Sequence, residues 1–217
     1  MTGSKAVALD AWAAEASLAC TRFDYRGHGA SPGAFTDGTI GGWRDDALHV
    51  LDRATAGPMI VVGSSMGGWI ALLLAMARPE RVRGLVLVAP ATDFTEELIW
   101  NRMPEPARAT LLRDGIWRRA SAYSDEPDEI TRALVEEGRN HLLLGGAIPF
   151  AGPVRILHGM ADATVPWELA TRTAAALTSA DIVVTLVKNG DHRLSDPANL
   201  ARLEDAVRDV ARLTAVP

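Results

Sequence analysis

Apolar and polar positions alternate along the chain in a way that predicts strands and helices in turn. Short runs rich in Val, Ile and Leu, bounded by Gly, Pro or Asp, are separated by longer amphipathic stretches. This pattern is typical of parallel strands joined by crossover helices, so the predicted fold class is α/β. The predicted strands are residues 20–24, 59–64, 84–88, 154–158 and 182–187. The predicted helices are residues 4–19, 40–54, 66–77, 166–177 and 197–213.

Residues 93–151 interrupt this alternation. They hold Trp100, Trp117, Tyr123 and several prolines, with helical pieces and no convincing strand. A connection of this length between two strands is uncommon in compact domains and is often a functional lid. We therefore predict a single domain over residues 1–217, with a helical cap insertion at about 93–151.

Composition and charge indicate an ordinary soluble globular protein. Of the 217 residues, 48% are hydrophobic and 23% are charged, and the formal net charge is -5. Acidic and basic residues are interspersed and form no basic stripe, which argues against nucleic acid as a partner. We interpret the local group Arg113, Arg118 and Arg119 as a solvated face, with a site for anionic substrates as the alternative.

Cysteine usage and the first residues bear on redox chemistry and location. Cys20 is the only cysteine, so an intrachain disulfide and a thiolate metal cluster are both excluded. Its neighbours Leu18, Ala19 and Phe23 predict a small core residue. The start has no signal pattern, and no apolar run approaches the ~20 residues needed to span a bilayer. A cytoplasmic location without stable membrane insertion follows by default.

The strongest local signal is the stretch PMIVVGSSMGGWIALLLAMA, an apolar strand, a glycine-serine turn and a long apolar helix. It predicts a nucleophile elbow with Ser65 at the centre of GxSxG, because a sharp strand-to-helix turn needs small residues such as Gly63 and Gly67 around the serine. The backbone N–H of Met66 is then one oxyanion donor at the helix N-terminus. Ser64 is a neighbour and not the nucleophile.

A serine needs a histidine base and an acid, in the chain order serine, acid, histidine. His192 follows the last predicted strand, and groups beyond the carboxyl ends of parallel strands converge on one crevice. Asp162 follows the strand before it and is the candidate acid, with Asp93 as the rival. Asp191 is assigned a local turn. The remaining histidines are assigned structural roles: His28, His49, His141 and His158.

Several stretches together carry a more specific signal than GxSxG. They are TRFDYRGHGAS, GGWRDD, VGSSMGGWIALLLAMARPERV, GIW and YS in the insertion, LHGMADATVPW and DHRLS. With them the chain resembles the α/β-hydrolase fold enzymes, most closely the group of mitochondrial palmitoyl-protein thioesterases that also cleave mycophenolic acid acyl-glucuronide.

The resemblance implies an α/β-hydrolase fold with helices on both faces of a mostly parallel sheet. It implies the catalytic roles already assigned to Ser65, Asp162 and His192, and an acyl ester or thioester substrate, either a small molecule or an acylated protein. It implies no metal and no organic cofactor. Trp69, Trp100 and Trp117 are candidates for lining an acyl pocket, with core packing as the alternative.

The start of the chain departs from the family pattern. The family begins with further strands and a loop that carries a second oxyanion N–H, whereas residues Met1 to Ser4 resemble the end of that loop. We therefore expect the N-terminal strands to be missing, one of them from the sheet centre between residues 20–24 and 59–64. Losing an oxyanion donor costs about 3 to 4 kcal/mol of transition-state stabilisation. The hypothesis is that Met1 is an internal methionine or that the chain is a fragment.

These considerations leave three functions open. The first is a serine hydrolase that cleaves carboxylic esters or acyl thioesters through an acyl-enzyme. The second is a weak or inactive α/β-hydrolase scaffold that lacks part of the oxyanion hole. The third is a peptidase or dienelactone-type hydrolase, which the same triad would serve.

Overall fold

A four-stranded parallel sheet organises residues 1–119 and 127–214, the part of the chain that the computed structural model describes. The strands are β1 Met59–Ser64, β2 Val82–Val88, β3 Ile116–Arg119, β4 Asp128–Thr131, β5 Val154–Gly159 and β6 Ile182–Val187. The parallel sheet has the order β1-β2-β5-β6, and β3 and β4 form a separate antiparallel pair. The predicted α/β class with a mostly parallel sheet is therefore confirmed.

Helices cover both faces of the parallel sheet. They are α1 Ser4–Glu15, α2 Ile40–Ala54, α3 Met66–Ala77, α4 Glu105–Asp114, α5 Arg132–Gly138, α6 Glu168–Ala176 and α7 Pro197–Thr214. Alternate residues of β2 point to opposite faces of the sheet. Leu85 and Leu87 pack with residues of α2 and α3, whereas Val86 and Val88 pack with α7. This division follows from the two-residue period of a strand.

Local chemistry explains where several helices begin and end. The Thr39 hydroxyl accepts a hydrogen bond from the Gly42 N–H at 3.1 Å and caps the start of α2. Gly115, in the left-handed conformation with φ 78°, ends α4. Leu203, Val207 and Val210 form the buried stripe of α7. None of the described helices has the length and apolarity needed to cross a bilayer.

The predicted strand at residues 20–24 is absent, and this prediction was wrong. Phe23 of this segment and Ile60 and Val62 of β1 line one cavity of about 1060 Å³. The two stretches therefore meet across open space, without the ladder of backbone hydrogen bonds that defines a strand. The same uncovered position leaves Cys20 exposed, so the prediction of a core cysteine was also wrong.

The interval 93–151 contains more regular structure than the sequence predicted. It begins with a π-helical turn at Thr95–Ile99 and a 3₁₀ turn at Trp100–Arg102, and it holds α4, β3, β4 and α5. The expectation of no strand there was wrong for β3 and β4, whose pairing includes the cross-strand ion pair of Arg118 with Glu129. Tyr123, part of the resemblance noted above, lies outside the described residues.

Candidate active site

Ser65 stands at the turn between β1 and α3, in a backbone conformation that side chains rarely adopt. Its φ is 55° and its ψ is -122°. Its N–H donates to the Val88 carbonyl at 2.9 Å, and its own carbonyl accepts from the N–H groups of Gly68 and Ala91. These three bonds hold the strained turn in place, as expected for a residue whose conformation is imposed by its surroundings.

The two glycines of the turn are required by close backbone approach. A Cβ on Gly63 would collide with the backbone of Gly67, and a Cβ on Gly68 would meet Pro90. The predicted need for a small residue is confirmed at Gly63 but was wrong at Gly67, where a Cβ would meet only the Tyr25 hydroxyl, at 3.8 Å. Met66 opens α3, and because the first N–H groups of a helix lack an intrahelical acceptor, its N–H is available beside the Ser65 side chain.

Asp162 lies in the loop after β5, and its carboxylate is fully buried. Its Oδ1 accepts from the N–H groups of Thr164 and Val165, both at 2.8 Å. Its Oδ2 lies 2.7 Å from Nδ1 of His192 and 3.3 Å from Nε2 of His158. Burial by itself would raise its pKa, but the hydrogen bonds from the two imidazoles and the two amides outweigh it. They hold the pKa of Asp162 well below the ordinary value for an aspartate.

His192 joins the acid to the serine. Its Nε2 lies 3.1 Å from Ser65 Oγ, while its Nδ1 faces Asp162. The loop that carries His192 is held against the end of β5, because the Gly190 carbonyl accepts from the Ala161 N–H at 2.9 Å. A Cβ on Gly159 would collide with Gly190, so this contact depends on the glycine. The structure thus brings together all three side chains that the sequence predicted.

The rival residues lie in other environments. The Asp93 carboxylate accepts hydrogen bonds from the N–H groups of Leu143 and Leu144 at 2.8 to 3.0 Å. It therefore anchors one segment of the insertion to another and is not the partner of His192. Asp191 accepts from the Leu194 N–H at 2.8 Å, which is the local turn that was predicted. His28 lines the same cavity as Ser65, but its ring contacts are edge-to-face with aromatic side chains such as Trp43, in keeping with the structural role predicted for it.

The three tryptophans do not line the cavity that contains Ser65, as far as the described residues define it. Trp69 is fully buried, and its Nε1 donates to the His141 carbonyl at 3.1 Å, so it ties α3 to the insertion. Trp100 packs beside the guanidinium groups of Arg108 and Arg139. Trp117 packs in the insertion's own cluster. Their contacts fit the alternative of core or cap packing, and a role in lining an acyl pocket stays a prediction.

Two residues near the triad have contacts that the sequence reasoning did not predict: Tyr25, which it did not consider, and His158, to which it gave only a structural role. Tyr25 lines the cavity with Ser65, and burial raises its pKa to about 12. His158 contacts Asp162 directly. The motif LHGMAD carries a signal for His158, because a histidine that ends a strand four residues before an acid lies near that acid.

The described residues contain no group of three or more His, Cys, Asp or Glu side chains arranged to hold a metal ion. The side chains that connect to Ser65 are the His192 imidazole and, through it, the Asp162 carboxylate. Such a set is suited to moving the proton of a serine hydroxyl.

Comparison with known proteins places the chain in a family. Residues 6–136 match the family described as serine aminopeptidase, S33. The mitochondrial palmitoyl-protein thioesterase ABHD10 of Pongo abelii is 39% identical over 211 residues, which cover 97% of this chain and 69% of that protein.

Two solved structures are similar over nearly the whole chain. A protein of Agrobacterium vitis S4 has a TM-score of 0.94 at 47% identity, covering 97% of this chain and 83% of that one. The mouse alpha/beta hydrolase domain-containing protein 10 has a TM-score of 0.90 at 38% identity, covering 98% of this chain and 85% of the mouse chain.

Proposed function

This chain belongs to the α/β-hydrolase family, and we propose that it is a serine hydrolase that cleaves carboxylic esters or acyl thioesters through an acyl-enzyme. The observation that carries the proposal is the continuous contact from Asp162 through His192 to Ser65, at 2.7 and 3.1 Å. The name of the ABHD10 relatives, palmitoyl-protein thioesterase, supports an acyl thioester as one substrate class.

In the first half of the proposed reaction Ser65 Oγ attacks the acyl carbonyl carbon while His192 Nε2 takes the hydroxyl proton. The tetrahedral oxyanion accepts a hydrogen bond from the Met66 N–H, whose place at the start of α3 favours negative charge. When the tetrahedral species collapses, its bond to the leaving alcohol or thiol breaks. The leaving group takes the proton from His192.

The second half repeats these steps with water. His192 Nε2 removes a proton from water, the resulting hydroxide attacks the acyl-enzyme, and Ser65 leaves with the proton returned by His192. Asp162 remains ionised throughout because its pKa is held low, so it accepts from His192 Nδ1 and stabilises the imidazolium. No step requires a metal or an organic cofactor.

The interval 93–151 is proposed to be a cap within a single domain over residues 1–217. Phe94, Leu98 and Leu144 from this interval pack against Val165, in the loop that holds the acid. Substrate choice between a small acyl ester or thioester and an acylated protein is then a property of the cap, with no role for nucleic acid. The cytoplasmic location stays a prediction; the ABHD10 relatives are mitochondrial by name.

A fluorophosphonate probe tests the proposal, because it labels only a serine activated by a base. The wild-type chain is expected to be labelled and Ser65→Ala is not, while the matched neighbour variant Ser64→Ala retains labelling. A folded wild-type chain that resists the probe would overturn the enzyme assignment in favour of an inactive scaffold.

A substrate panel tests the bond that is cleaved. Activated esters and acyl thioesters of increasing chain length are expected to turn over, and aminoacyl and peptide amides and dienelactones to be poor substrates. Preferential cleavage of the aminoacyl or peptide amides would contradict the proposed substrate class and point to the peptidase activity in the name of the matched family.

A further inference from the structure

His158 is a polar side chain in a position that has no access to water. It occupies the end of β5, where it pairs in register with Leu186 of β6, and its side chain is fully buried. A buried polar ring is costly unless its surroundings satisfy it, and an apolar residue of similar size would fill the space without that cost. The polar contacts of the His158 ring therefore indicate why a histidine occupies this position.

Those contacts define which ring nitrogen carries a proton. Nε2 lies 2.9 Å from the Val165 carbonyl oxygen and 3.3 Å from Asp162 Oδ2. A carbonyl and an ionised carboxylate only accept hydrogen bonds, so Nε2 must be the donor. Nδ1 has no partner among the described residues. The ring is thus anchored to its surroundings through Nε2 alone.

Val165 makes this anchor relevant to the acid. Its N–H donates to Asp162 Oδ1, and its carbonyl accepts from His158. One imidazole therefore fixes both the loop that binds one carboxylate oxygen and the other oxygen itself. Asp162 Oδ2 is shared between His158 and His192.

We infer that His158 is a positioning residue for the proposed hydrolysis: its Nε2–H, held by the rigid end of β5, keeps Asp162 Oδ2 aimed at His192 Nδ1. The inference rests on the proposed function. It does not make His158 a catalytic residue, because the contacts found here join it to the acid and its loop and not to Ser65. It acts through the orientation of the acid, on which the orientation of the base depends.

The test compares His158→Leu, which removes the donor at similar volume, with His158→Gln, whose side-chain N–H extends toward the position of Nε2. For an activated acyl ester, His158→Leu is expected to lower kcat by about 10-fold to 100-fold, as is typical of residues that orient a reacting group. KM should stay within about twofold of wild type, because the substrate contacts are unchanged. His158→Gln is expected to recover most of the loss.

The pH profile separates positioning from a purely structural role. A misaligned carboxylate stabilises the His192 imidazolium less, so the acidic limb of kcat/KM is expected to move to lower pH in His158→Leu. The matched control is Arg155→Met, near the other end of β5, which breaks the partly buried ion pairs of Arg155 with Asp181 and Asp209. This control is expected to lower the unfolding free energy and to leave both kcat and the acidic limb of the kcat/KM profile unchanged.

Several outcomes would overturn the inference. One is a folded His158→Leu with wild-type kcat and pH limb, and another is an equal loss of kcat in Arg155→Met. If His158→Leu does not fold, nitrogen-15 spectra of the wild-type ring decide: the Nε2–H tautomer is expected, and an Nδ1–H tautomer contradicts the geometry. Failure of Ser65 labelling, by contrast, would reject the proposed function itself.

Discussion

At the scale of single residues, Ser65 combines the central chemical role proposed here with an unfavourable backbone conformation. Positive φ is rare for residues with a side chain and costs roughly 1–3 kcal/mol, and it persists only where the surroundings impose it. The bonds from Val88, Gly68 and Ala91 impose it at this turn. The site is therefore built at the expense of local stability.

Replacing Ser65 should reveal this strain. Ser65→Gly is expected to be more stable than Ser65→Ala by about 1 kcal/mol, because glycine adopts the conformation without a Cβ clash. Urea denaturation of the two inactive variants measures the difference. At Ser64, within β1, the order should reverse, since glycine weakens a strand. Alanine more stable than glycine at both positions would show that the turn is not strained.

Asp162 should be essential to the rate and Asp93 should not. Asp162→Asn is expected to lower kcat by about 10⁴-fold, as loss of a triad carboxylate does in serine proteases, because the histidine then adopts the wrong tautomer. Asp93→Asn, at the rival acid, should stay close to wild type. Steady-state kinetics at a temperature where both variants are folded make the comparison. A large loss in Asp93→Asn alone would move the acid to that position.

Sequence reasoning reached the triad because each member has a local signature. Ser65 is marked by its glycines, and Asp162 and His192 follow apolar runs that end at one edge of the sheet. His158 escaped it, because its role depends on Val165 and Asp162 folding back over it. Trp69 was left open between pocket lining and core packing, because an aromatic side chain in a sequence does not distinguish a core position from a pocket wall; the structure buries it.

At the scale of secondary-structure elements, the turn between β1 and α3 depends on Gly63. Gly63→Ala is expected to lower the unfolding free energy by about 1–3 kcal/mol, because its Cβ would meet the Gly67 backbone, which cannot move aside as a flexible side chain would. Gly145→Ala is the control, as nothing lies near its Cβ position. Equal stability of the two variants, measured by chemical denaturation, would contradict a close-packed turn.

The four strands of the parallel sheet were predicted to within a residue or two, since each is a short run rich in Val, Ile or Leu. β2 and β5 are almost fully buried, whereas β1 and β6 are partly exposed. Residues 20–24, CTRFD, are less apolar than these runs, and a strand also requires a partner, which a short segment does not specify. β3 and β4 were missed for the opposite reason. IWRR and DEIT are short and charged, and the ion pairs Arg118 with Glu129 and Arg119 with Asp128 stabilise them only once they are paired.

At the scale of the whole molecule, two buried aspartates affect the unfolding free energy in opposite ways as the pH changes. Burial raises the pKa of Asp93, so the folded state holds its proton longer than the unfolded state, and its contribution declines as pH rises above about 4. The pKa of Asp162 is lowered, so its contribution is present above about pH 4 and is lost as pH falls.

Asp93→Asn isolates the first effect. The stability of the variant relative to wild type is expected to increase as pH rises from about 4 toward neutrality, because only the wild type must ionise a buried carboxyl there. Denaturant titrations across this pH range, with the exposed change Asp37→Asn as the control, measure it. A relative stability that does not vary with pH, or that falls, would show that Asp93 is not penalised by burial.

The edge of β6 has a consequence for how the protein behaves in concentrated solution. Within the described residues β6 pairs only with β5, and Val183 on this strand is 48% exposed. An edge strand with an exposed apolar side chain can pair with a strand of another molecule. Replacing Val183 with lysine is therefore expected to reduce self-association at high concentration, which light scattering measures, and unchanged scattering would contradict it.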